Sequence, residues 1–476
     1  MIEKHGHYVG GAWVESLDGR PHHVVDPATE EEAIAITLAG PSDVDRAVAA
    51  AKAALPAWAA TPPEDRRRLV ERVLEQYRRR ESDYAEAISL EMGAPIDFAR
   101  REQAPSFPWH VEGFLRAFDD IPWESAHGAE ARGSRLLLEP IGVVALITPW
   151  NWPANQIALK VIPALLAGCT MILKPSEQAP LSAVVTAEMI HDAGVPPGVF
   201  NMVQGDGAGV GSRLSGHPDV EMVSFTGSTR AGRAITVAAA DTFKRVTLEL
   251  GGKGANLVFA DAGAAAVERG VRDVMDNAGQ SCNAPTRMLV ERPLYEEAVE
   301  VARRVAEGTG VGSPRERGDH IGPVVNARQW EHVQRLIGAG LEEGARLVAG
   351  GPGRPEHLNR GFFVRPTVFA DVRPGMSVER EEIFGPVLSM MPFDTEEEAV
   401  AIANDTAYGL TNYVQSGDQA RRRRLARALK SGMVEMNGKS RGQGSPFGGV
   451  KASGRAREGG AWGIEEFLSL KSVSGW

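Results

Sequence analysis

Two cysteines are the most nucleophilic side chains of this sequence, and their surroundings differ. Cys282 follows the segment "MDNAGQS", where a predicted helix ends near Asn277 and Gly279, so its thiol is expected on a loop. A thiol is partly ionised near neutral pH, since its unperturbed pKa is about 8.5, and the thiolate attacks electrophilic carbon. Cys169, inside the apolar segment "LLAGCTMIL", is expected to be an inert core residue. The same inert role is the alternative for Cys282.

A carboxylate and an amide could assist such a nucleophile. Glu249 stands at the end of the apolar segment "VTLEL", directly before two glycines, where partial burial would raise its pKa toward neutrality. Such a carboxylate can act as a general base on water. An ion pair with Lys253 or Lys244 explains Glu249 equally well. Asn151, in "TPWNWP", could donate to a developing oxyanion, and a simple turn residue is the alternative.

Glycine-bearing turns between predicted strands and helices could hold a pyrophosphate. They are "GDGAGVG", with Gly207 and Gly211, and "FTGSTRAG", with Gly227 and Ser228. Neither turn has the strict G-x-G-x-x-G spacing. At a helix N-terminus, free backbone N–H groups and the helix dipole attract phosphate. Ser228 could equally serve only as a helix N-cap.

Lys174 and Glu177, in "LKPSE", follow another predicted strand end. The pair could hydrogen-bond the hydroxyl groups of a cofactor ribose, and an ordinary surface ion pair is the alternative. If the pair binds ribose, the charge of Glu177 repels a 2'-phosphate. The sequence therefore favours NAD over NADP, without excluding NADP.

These residues stand at the ends of elements that alternate in a regular order. From about residue 136, short apolar runs alternate with amphipathic ones, as in a parallel sheet with crossover helices. Strands are predicted at 141–147, 170–174, 199–203 and 220–226, and helices at 154–167 and 181–193. In a second series, strands are predicted at 255–259, 287–291, 387–391, 411–415 and 432–436. The fold class is therefore predicted as α/β, with a Rossmann-type half followed by a second α/β domain.

Composition and charge exclude several other classes of protein. A chain of 476 residues exceeds the size of one hydrophobic core, so two or three domains are expected. The formal net charge of -10 repels the nucleic-acid backbone, and the arginine runs 66–68 and 421–424 are interpreted as solvated helix faces. Neither a secretory signal nor a membrane-spanning apolar stretch is predicted, which favours a cytoplasmic protein. Two cysteines form neither a disulfide framework nor a cysteine zinc site, and no metal is expected.

In this order the motifs resemble the NAD(P)-dependent aldehyde dehydrogenase superfamily, from the N-terminus to about "PFGGVKASG". The motifs are "TPWNWP", "LKPSE", "FTGS", "LELGGK", "NAGQSC", "EIFGP" and "PFGG". The resemblance implies a Rossmann-type cofactor domain, a second α/β catalytic domain and a small β oligomerisation arm. The predicted boundaries are 1–121 with 141–251 for the NAD-binding domain, 252–450 for the catalytic domain, and 122–140 with 455–476 for the arm.

The resemblance also implies that the enzyme oxidises an aldehyde to a carboxylic acid with NAD. Cys282 would be the nucleophile, and Asn151 with the backbone N–H of Cys282 would form the oxyanion hole. Glu249 would activate the water that hydrolyses a thioester on the sulfur. Relatives that pass the acyl group to coenzyme A usually lack this glutamate, so its presence favours hydrolysis.

The remaining implied positions are cofactor contacts. Lys174 and Glu177 would bind the adenosine ribose, and Glu382 the nicotinamide ribose, with Phe384 beside the nicotinamide. Gly207, Gly211, Gly227 and Ser228 would lie along the pyrophosphate. Further cofactor contacts are implied at Ile147, Thr148, Pro149, Trp150, Phe225 and Leu250.

The substrate is less well defined by the sequence. The pocket is predicted to include Trp152, Gln156, Ser281, Asn283 and Arg441. Trp152 stands where the family commonly has phenylalanine, and Met275 where it often has an aromatic residue. One hypothesis is that Arg441 or Lys439 pairs with the carboxylate of a semialdehyde acid. A solvated charged loop is the alternative, with a broad range of aldehydes as substrates.

Two other functions compete with this interpretation. A cysteine acyltransferase or thioesterase would use Cys282 and Glu249 without a redox step, but "FTGS" and "LKPSE" would then have no purpose. A non-catalytic protein of the same fold would not need Cys282, Glu249 and Asn151 together. The tail "GIEEFLSLKSVSGW" is predicted to form an edge strand, which favours a homodimer or a dimer of dimers.

Overall fold

A computed structural model describes residues 1–126 and 133–476 of the chain. The predicted arm segment 122–140 therefore lies partly outside the described residues. In chain order, the strands are β1 (Ile2–Lys4), β2 (His7–Val9), β3 (Ala12–Val14), β4 (Arg20–Val25), β5 (Glu32–Leu38), β6 (Glu124–Ala126), β7 (Arg135–Pro140), β8 (Val143–Ile147), β9 (Thr170–Lys174), β10 (Phe200–Met202), β11 (Met222–Thr226), β12 (Arg245–Glu249), β13 (Ala255–Val258), β14 (Arg287–Glu291), β15 (Gly310–Val311), β16 (His320–Ile321), β17 (Arg346–Ala349), β18 (Thr367–Ala370), β19 (Val387–Phe393), β20 (Thr411–Gln415), β21 (Met433–Met436) and β22 (Leu468–Val473).

The α-helices follow the same chain order. They are α1 (Pro41–Ala59), α2 (Pro63–Met92), α3 (Ile96–Phe98), α4 (Ser106–Phe118), α5 (Pro153–Ala167), α6 (Pro180–Asp192), α7 (Ser212–Gly216), α8 (Thr229–Ala239), α9 (Ala264–Met275), α10 (Tyr295–Gly308), α11 (Ala327–Glu342), α12 (Ser377–Arg380), α13 (Glu396–Asn404), α14 (Gln419–Ala428) and α15 (Gly460–Glu465). Within the described ranges, no helix combines the length and the apolar character needed to cross a membrane.

The first large sheet has the strand order β12-β11-β8-β9-β10-β2-β3. Its strands from β12 to β10 are parallel, and the β2–β3 hairpin adds an antiparallel edge. Alternate residues of β8 enter different cores, because Val143 and Ala145 pack with α1 while Val144 and Leu146 pack with α5. Burial on both faces explains why these strands appear in the sequence as unbroken apolar runs.

Two helices that follow strands of this sheet have clear start signals. Helix α5 begins with Pro153, whose fixed φ suits the first helical position, and ends at Gly168 with φ 91°. Helix α8 begins after Ser228, whose hydroxyl oxygen accepts the N–H of Ala231 at 3.3 Å. Both helices start at the carboxyl end of the sheet, where open α/β sheets bind ligands.

The second large sheet has the order β17-β18-β19-β14-β13-β20-β21 and is parallel except at β17. Helices α9, α10 and α11 pack on it around a separate hydrophobic core. The predicted strands 287–291 and 411–415 have the observed bounds, and β19 extends two residues past the predicted end at 391. The two large sheets agree with the predicted α/β fold class.

A smaller antiparallel sheet has the order β22-β7-β6. Its register places Leu470 opposite Leu138, so the tail pairs with the segment before β8, as the sequence suggested. Helix α15 lies within the predicted arm segment 455–476 but packs elsewhere. Ile464 joins the hydrophobic core that contains α4 and α5, and Gly463 lies against Phe114. Among the described residues, β6, β7 and β22 form this small sheet without α15.

One sequence interpretation is wrong for a single arginine. The sequence groups Arg66 with its neighbours on a solvated helix face, but its side chain is buried. Its guanidinium donates to the carbonyl oxygens of Leu166 and Thr61 and lies 5.1 Å from the ring centroid of Trp123. It caps the last turn of α5, a role that depends on a tertiary contact.

Candidate active site

The loop that carries Cys282 follows α9 through a tight turn. Asn277 and Ala278 both have φ 54° in this turn, a left-handed conformation that is uncommon outside glycine. The loop then passes directly beside the two glycines after β12. A Cβ on Gly252 would lie 2.4 Å from the carbonyl oxygen of Cys282, so only glycine allows this approach.

A buried amide network fixes this loop against the segment after β8. Asn151 donates from Nδ2 to the carbonyl oxygen of Gln280 at 3.0 Å. Asn277 donates to the same carbonyl at 3.1 Å and to the carbonyl oxygen of Asn151 at 3.0 Å. Gln103 donates from Nε2 to the carbonyl oxygen of Asn151 at 3.0 Å and to Oδ1 of Asn277 at 3.1 Å. Asn151 is thus held beside the loop of Cys282.

The environment of Cys282 disfavours its ionised form. Burial raises the pKa of the thiol, and the nearby carboxylates of Glu382 and Glu249 raise it further. Arg441 acts in the opposite direction. The sequence predicted a partly ionised thiol at neutral pH, whereas these surroundings act against ionisation of the sulfur. The site therefore needs a base when the sulfur attacks.

Glu249 is a buried carboxyl group without a hydrogen-bonding partner. Both of its oxygens lack a donor among the described residues. Burial raises its pKa well above the usual range, and the charge of Glu458 adds to this effect. The alternative of an ion pair is wrong: Lys244 donates to the carbonyl oxygen of His217, and Nζ of Lys253 has no partner within residues 1–126 and 133–476. Glu249 is free to accept a proton from water or a thiol.

A second buried carboxylate lies near Glu249. Glu458 accepts a hydrogen bond from Nζ of Lys160 at 2.5 Å, and Lys160 also donates to Ser224 at 3.1 Å. Lys160 lies on α5, in the otherwise apolar stretch "IALKVIPALLA". This pair was not predicted from the sequence. A single lysine in an otherwise apolar helix does indicate a buried ion pair, because buried ammonium groups need a partner.

Two candidate ribose-binding residues lie at the end of β9. Nζ of Lys174 is 3.6 Å from Oε2 of Glu177. Burial lowers the pKa of Lys174, and Glu177 opposes that effect. Gly211 is close by, since a Cβ there would lie 3.9 Å from Cδ of Lys174.

The two glycine turns differ in how free their N–H groups are. Asp206 accepts the N–H of Gly209 at 2.6 Å and forms an ion pair with Arg20, so a carboxylate already occupies the turn that includes Gly207. At the start of α8, the side chain of Ser228 accepts the N–H of Ala231, and the N–H of Gly227 bonds to the carbonyl oxygen of Glu249 at 3.0 Å, so here the bonds are not to a carboxylate. The helix at Gly227 and Ser228 is the better of the two for a pyrophosphate.

Glu382 and Phe384 lie on the other side of Cys282. Oε1 of Glu382 accepts the N–H of Gly252 at 2.8 Å, and burial raises the pKa of this carboxyl to about 7. A Cβ on Gly251 would lie 2.0 Å from Oε2 of Glu382. The ring of Phe384 meets that of Trp150 edge-on at 5.5 Å between centroids.

The remaining predicted cofactor contacts lie near these strand ends. Thr148 donates its N–H to the carbonyl oxygen of Lys174 at 3.1 Å. Ile147, Thr148, Phe225 and Leu250 are buried, while Pro149 and Trp150 are partly exposed.

Two of the side chains predicted for the substrate pocket, Ser281 and Asn283, are the chain neighbours of Cys282. Trp152 donates from Nε1 to Oγ of Ser281 at 2.8 Å, and Asn283 lies 3.4 Å from the hydroxyl of Tyr413. Gln156, one turn after Trp152 on α5, is buried and its Oε1 lacks a donor among the described residues.

Arg441, one of the two residues predicted to pair with a substrate carboxylate, already has partners in this chain. Its guanidinium lies 4.6 Å from the ring centroid of Phe447, and its Nε is 3.5 Å from Oε1 of Glu435. Lys439, the second candidate, is exposed. Both Glu435 and Arg441 border a cavity of about 400 Å³.

Residues 13–473 match the family described as "Aldehyde dehydrogenase family". The chain belongs to the aldehyde dehydrogenase family. A 3-succinoylsemialdehyde-pyridine dehydrogenase from a Pseudomonas species is 48% identical over 471 residues, which cover 98% of each chain. This match and the motifs agree along almost the whole length of the enzyme.

Solved structures of aldehyde dehydrogenases have the same fold. The enzyme from Bartonella henselae is 55% identical, with a TM-score of 0.99 over 100% of both chains. A cysteine-to-alanine mutant of aldehyde dehydrogenase C from Pseudomonas syringae, in complex with NAD+ and octanal, is 47% identical, with a TM-score of 0.97 over 99% of this chain and 96% of that one. The Mycobacterium tuberculosis enzyme in complex with NAD+ is 38% identical, with a TM-score of 0.97 over 100% and 99%.

Several residues at the centre of this aldehyde dehydrogenase were not found from the sequence. They are Gln103, Asn277 and Gln280 in the amide network, Lys160 and Glu458 near Glu249, and Tyr413, Glu435 and Phe447 near Arg441. Asn277 and Gln280 stand within the motif "NAGQSC" itself, where their polarity beside the nucleophile was the available signal.

Proposed function

We propose that this aldehyde dehydrogenase oxidises an aldehyde to the free carboxylic acid with NAD, through a thiohemiacetal and then a thioester on Cys282. The observation that carries the proposal is the placement of Cys282 against Gly252, with the buried, unpartnered carboxyl of Glu249 near its sulfur. A nucleophile, an amide donor and a base are thereby grouped at one site.

The residues divide the chemistry among them. The sulfur of Cys282 attacks the aldehyde carbon while Glu249 accepts the thiol proton and passes it on to solvent, so that Glu249 is ionised again before the hydrolysis step. The oxyanion that forms is stabilised by Nδ2 of Asn151 and the N–H of Cys282, a contribution typically of about 3 kcal/mol per donor. Once the thioester exists, Glu249 removes a proton from the attacking water and the acid is released.

The cofactor site fits NAD by the chemistry of its donors. Lys174 and Glu177 can bind the hydroxyls of one ribose, Glu382 those of the other, and the start of α8 at Gly227 and Ser228 can bind the phosphates. When bound, NAD supplies the acceptor for the hydride that leaves the thiohemiacetal carbon. Support comes from the solved relatives in complex with NAD+.

The substrate is proposed to be a semialdehyde or one of a broad range of aldehydes. One relative is named for a succinoylsemialdehyde-pyridine, and one solved relative is in complex with octanal. These names point to unlike aldehydes. We place Trp152, Gln156, Ser281, Asn283 and Arg441 in the pocket, because the first four lie on the two segments that meet at Cys282 and Arg441 packs on Phe447 beside it.

The decisive test compares two variants in which one cysteine is replaced. Formation of reduced cofactor is measured at 340 nm with a panel of aldehydes, once with NAD and once with NADP. Cys282→Ala is expected to lower the rate more than about a thousandfold, because the covalent route is lost. Cys169→Ala is the matched control: that thiol is buried and donates to the carbonyl oxygen of Phe467 at 3.3 Å, so activity is expected to remain. An undiminished rate in Cys282→Ala would remove the proposal.

A cysteine acyltransferase or thioesterase is not favoured, since such an enzyme has no use for Lys174, Glu177 and Glu382 at a ribose site. The same assay separates the two functions. An esterase would release acid from an ester without any change in NADH.

We further propose that the enzyme forms a homodimer or a dimer of dimers, in which 122–140 and the tail act as an arm. Support comes from β22, an edge strand whose Leu470 is exposed. The proposed domain boundaries at 121, 141, 251 and 450 are supported by the separate sheets. A cytoplasmic location is proposed because both cysteines are free thiols.

A further inference from the structure

Glu435 and Arg441 form a charged pair near the site that the proposed reaction does not use. Glu435 lies on β21, and Arg441 lies on the loop that follows it. Their side chains are only 15% and 23% exposed, so the pair is largely shielded from water. A shielded pair is held more firmly than a surface ion pair.

This pair is connected to the nucleophile through a single aromatic ring. Phe447 packs with Leu410 and Met433 in a small apolar cluster that Cys282 joins. On its other side, the same ring lies 4.6 Å from the guanidinium carbon of Arg441. An aldehyde bound at the sulfur and extended along Phe447 therefore directs its far end toward Arg441.

Arg441 is the described cation that packs on Phe447. Arg422 and Lys439 border the same cavity as Arg441, but Arg422 donates to the carbonyl oxygen of Ser416 and Lys439 is exposed to solvent. His110 is neutral, because burial lowers its pKa to about 4, and its Nε2 is hydrogen-bonded to Oδ1 of Asn155 at 2.5 Å. Tyr413 donates to the carbonyl oxygen of Asn283 at 2.6 Å. Glu435 is paired with Arg441, so the negative charge of its carboxylate cancels the positive charge of the guanidinium.

We propose that Glu435 sets the charge preference of this enzyme: by neutralising Arg441, it selects aldehydes with an uncharged far end and rejects those that end in a carboxylate. A substrate carboxylate that approached Arg441 would meet a second negative charge bound to the same guanidinium. Glu435 offsets most of the attraction that Arg441 alone would exert, so the attraction that remains is smaller than the free energy that the substrate carboxylate loses when it leaves water. This inference rests on the proposed function, and it makes Glu435 a specificity-determining residue.

The test compares two aldehydes of the same length that differ in one charge, succinate semialdehyde and its methyl ester. The readout is the ratio of their kcat/KM values in each protein, so a loss of folded enzyme cancels. The wild type is expected to favour the ester by about tenfold or more. Glu435→Gln frees Arg441 and is expected to shift the ratio toward the acid by at least about tenfold.

A second variant acts in the opposite direction. Arg441→Met leaves Glu435 without its cation, so the ratio is expected to move further toward the ester. The matched control is Glu268→Gln, which breaks an exposed pair with Arg272 at 2.9 Å on α9 and should leave the ratio unchanged.

Two results would overturn the inference: a wild type that prefers the acid, or a ratio in Glu435→Gln within twofold of wild type. If the folded wild type reduces NAD with neither compound nor with any aldehyde of the panel, the proposed function itself fails and the inference with it. Activity with an unchanged ratio removes only the role of Glu435.

Discussion

Glu249 shows at the scale of one residue how burial prepares a base. Its carboxyl is 2% exposed, and burial raises its pKa well above 4.5. Because only the ionised form accepts a proton, kcat is expected to be low in acid and to rise as the pH increases through that raised pKa. A kcat profile between about pH 5.5 and 9.5 measures this, and a wild-type profile that is flat across the range contradicts it.

The matched variant is Glu249→Gln, which keeps the shape and removes the titration. Its kcat is expected to fall by about a hundredfold or more and to lose the rise with pH. A variant that still shows the rise would assign the titration to another group, such as Glu382, whose pKa burial raises to about 7.

Glu177 is expected to decide the choice of cofactor by its charge. Its carboxylate is 3.6 Å from Nζ of Lys174, where a 2'-phosphate would be repelled. Glu177→Gln should raise kcat/KM for NADP about tenfold relative to NAD, measured at constant ionic strength. Glu188→Gln, which breaks a pair with Arg80 at 3.2 Å on α6, is the control. An unchanged NADP/NAD ratio in Glu177→Gln would contradict the assignment.

At the scale of elements, the loop of Cys282 depends on one glutamine from a distant segment. Gln103 is buried and bridges Asn151 and Asn277. Gln103→Met leaves Oδ1 of Asn277 without this donor, removes one of two donors to the carbonyl oxygen of Asn151, and is expected to cost about 1–3 kcal/mol in free energy of unfolding. Because the loop loses its register, kcat should fall about tenfold to a hundredfold with little change in KM.

The control for this prediction is another buried glutamine, which makes a similar side-chain hydrogen bond elsewhere in the chain. Gln415 is buried and donates to Oδ1 of Asn256 at 3.0 Å, away from the loop of Cys282. Gln415→Met should lose comparable stability, measured by denaturant unfolding, but keep its kcat. If both variants lose kcat equally, Gln103 does not position the loop.

The strands near the site could be predicted from the sequence because both of their faces are buried. Strand β9 has the predicted bounds, 170–174. Strand β8 starts at Val143 and not at 141, since the N–H of Ile141 bonds to the carbonyl oxygen of Phe467 in the tail. Such differences arise from partners that are distant in sequence, which an apolar pattern does not encode.

The side chains of the site also fall into two groups, those that could be identified from the sequence and those whose contacts could not be predicted. Cys282, Glu249 and Asn151 could be identified because they stand in motifs, Glu249 and Asn151 at or just after strand ends and Cys282 on the loop after a helix. The contact of Gln103 with Asn277 joins residues 174 positions apart, and that of Lys160 with Glu458 joins residues 298 apart. Their pairing is a property of the fold, and only the individual polarity of each residue is visible in the sequence.

At the scale of the whole molecule, the arm predicts association. Leu470 on β22 is 64% exposed in the single chain. If this face is covered by a second copy, Leu470→Asp should reduce the mass measured by light scattering toward that of a monomer. Leu17→Asp, at a leucine that is 62% exposed outside the arm, should leave the mass unchanged. A wild type that is monomeric at micromolar concentration contradicts the assembly.

The two glycines after β12, Gly251 and Gly252, limit the substitutions that this enzyme can accept. A side chain at the first would displace Glu382, and one at the second would displace the main chain of Cys282. The position of Glu382, which we propose binds a ribose of the coenzyme, and the position of the sulfur thus depend on the same two glycines. Coenzyme affinity and turnover should therefore change together at these positions, and neither can be tuned there by itself.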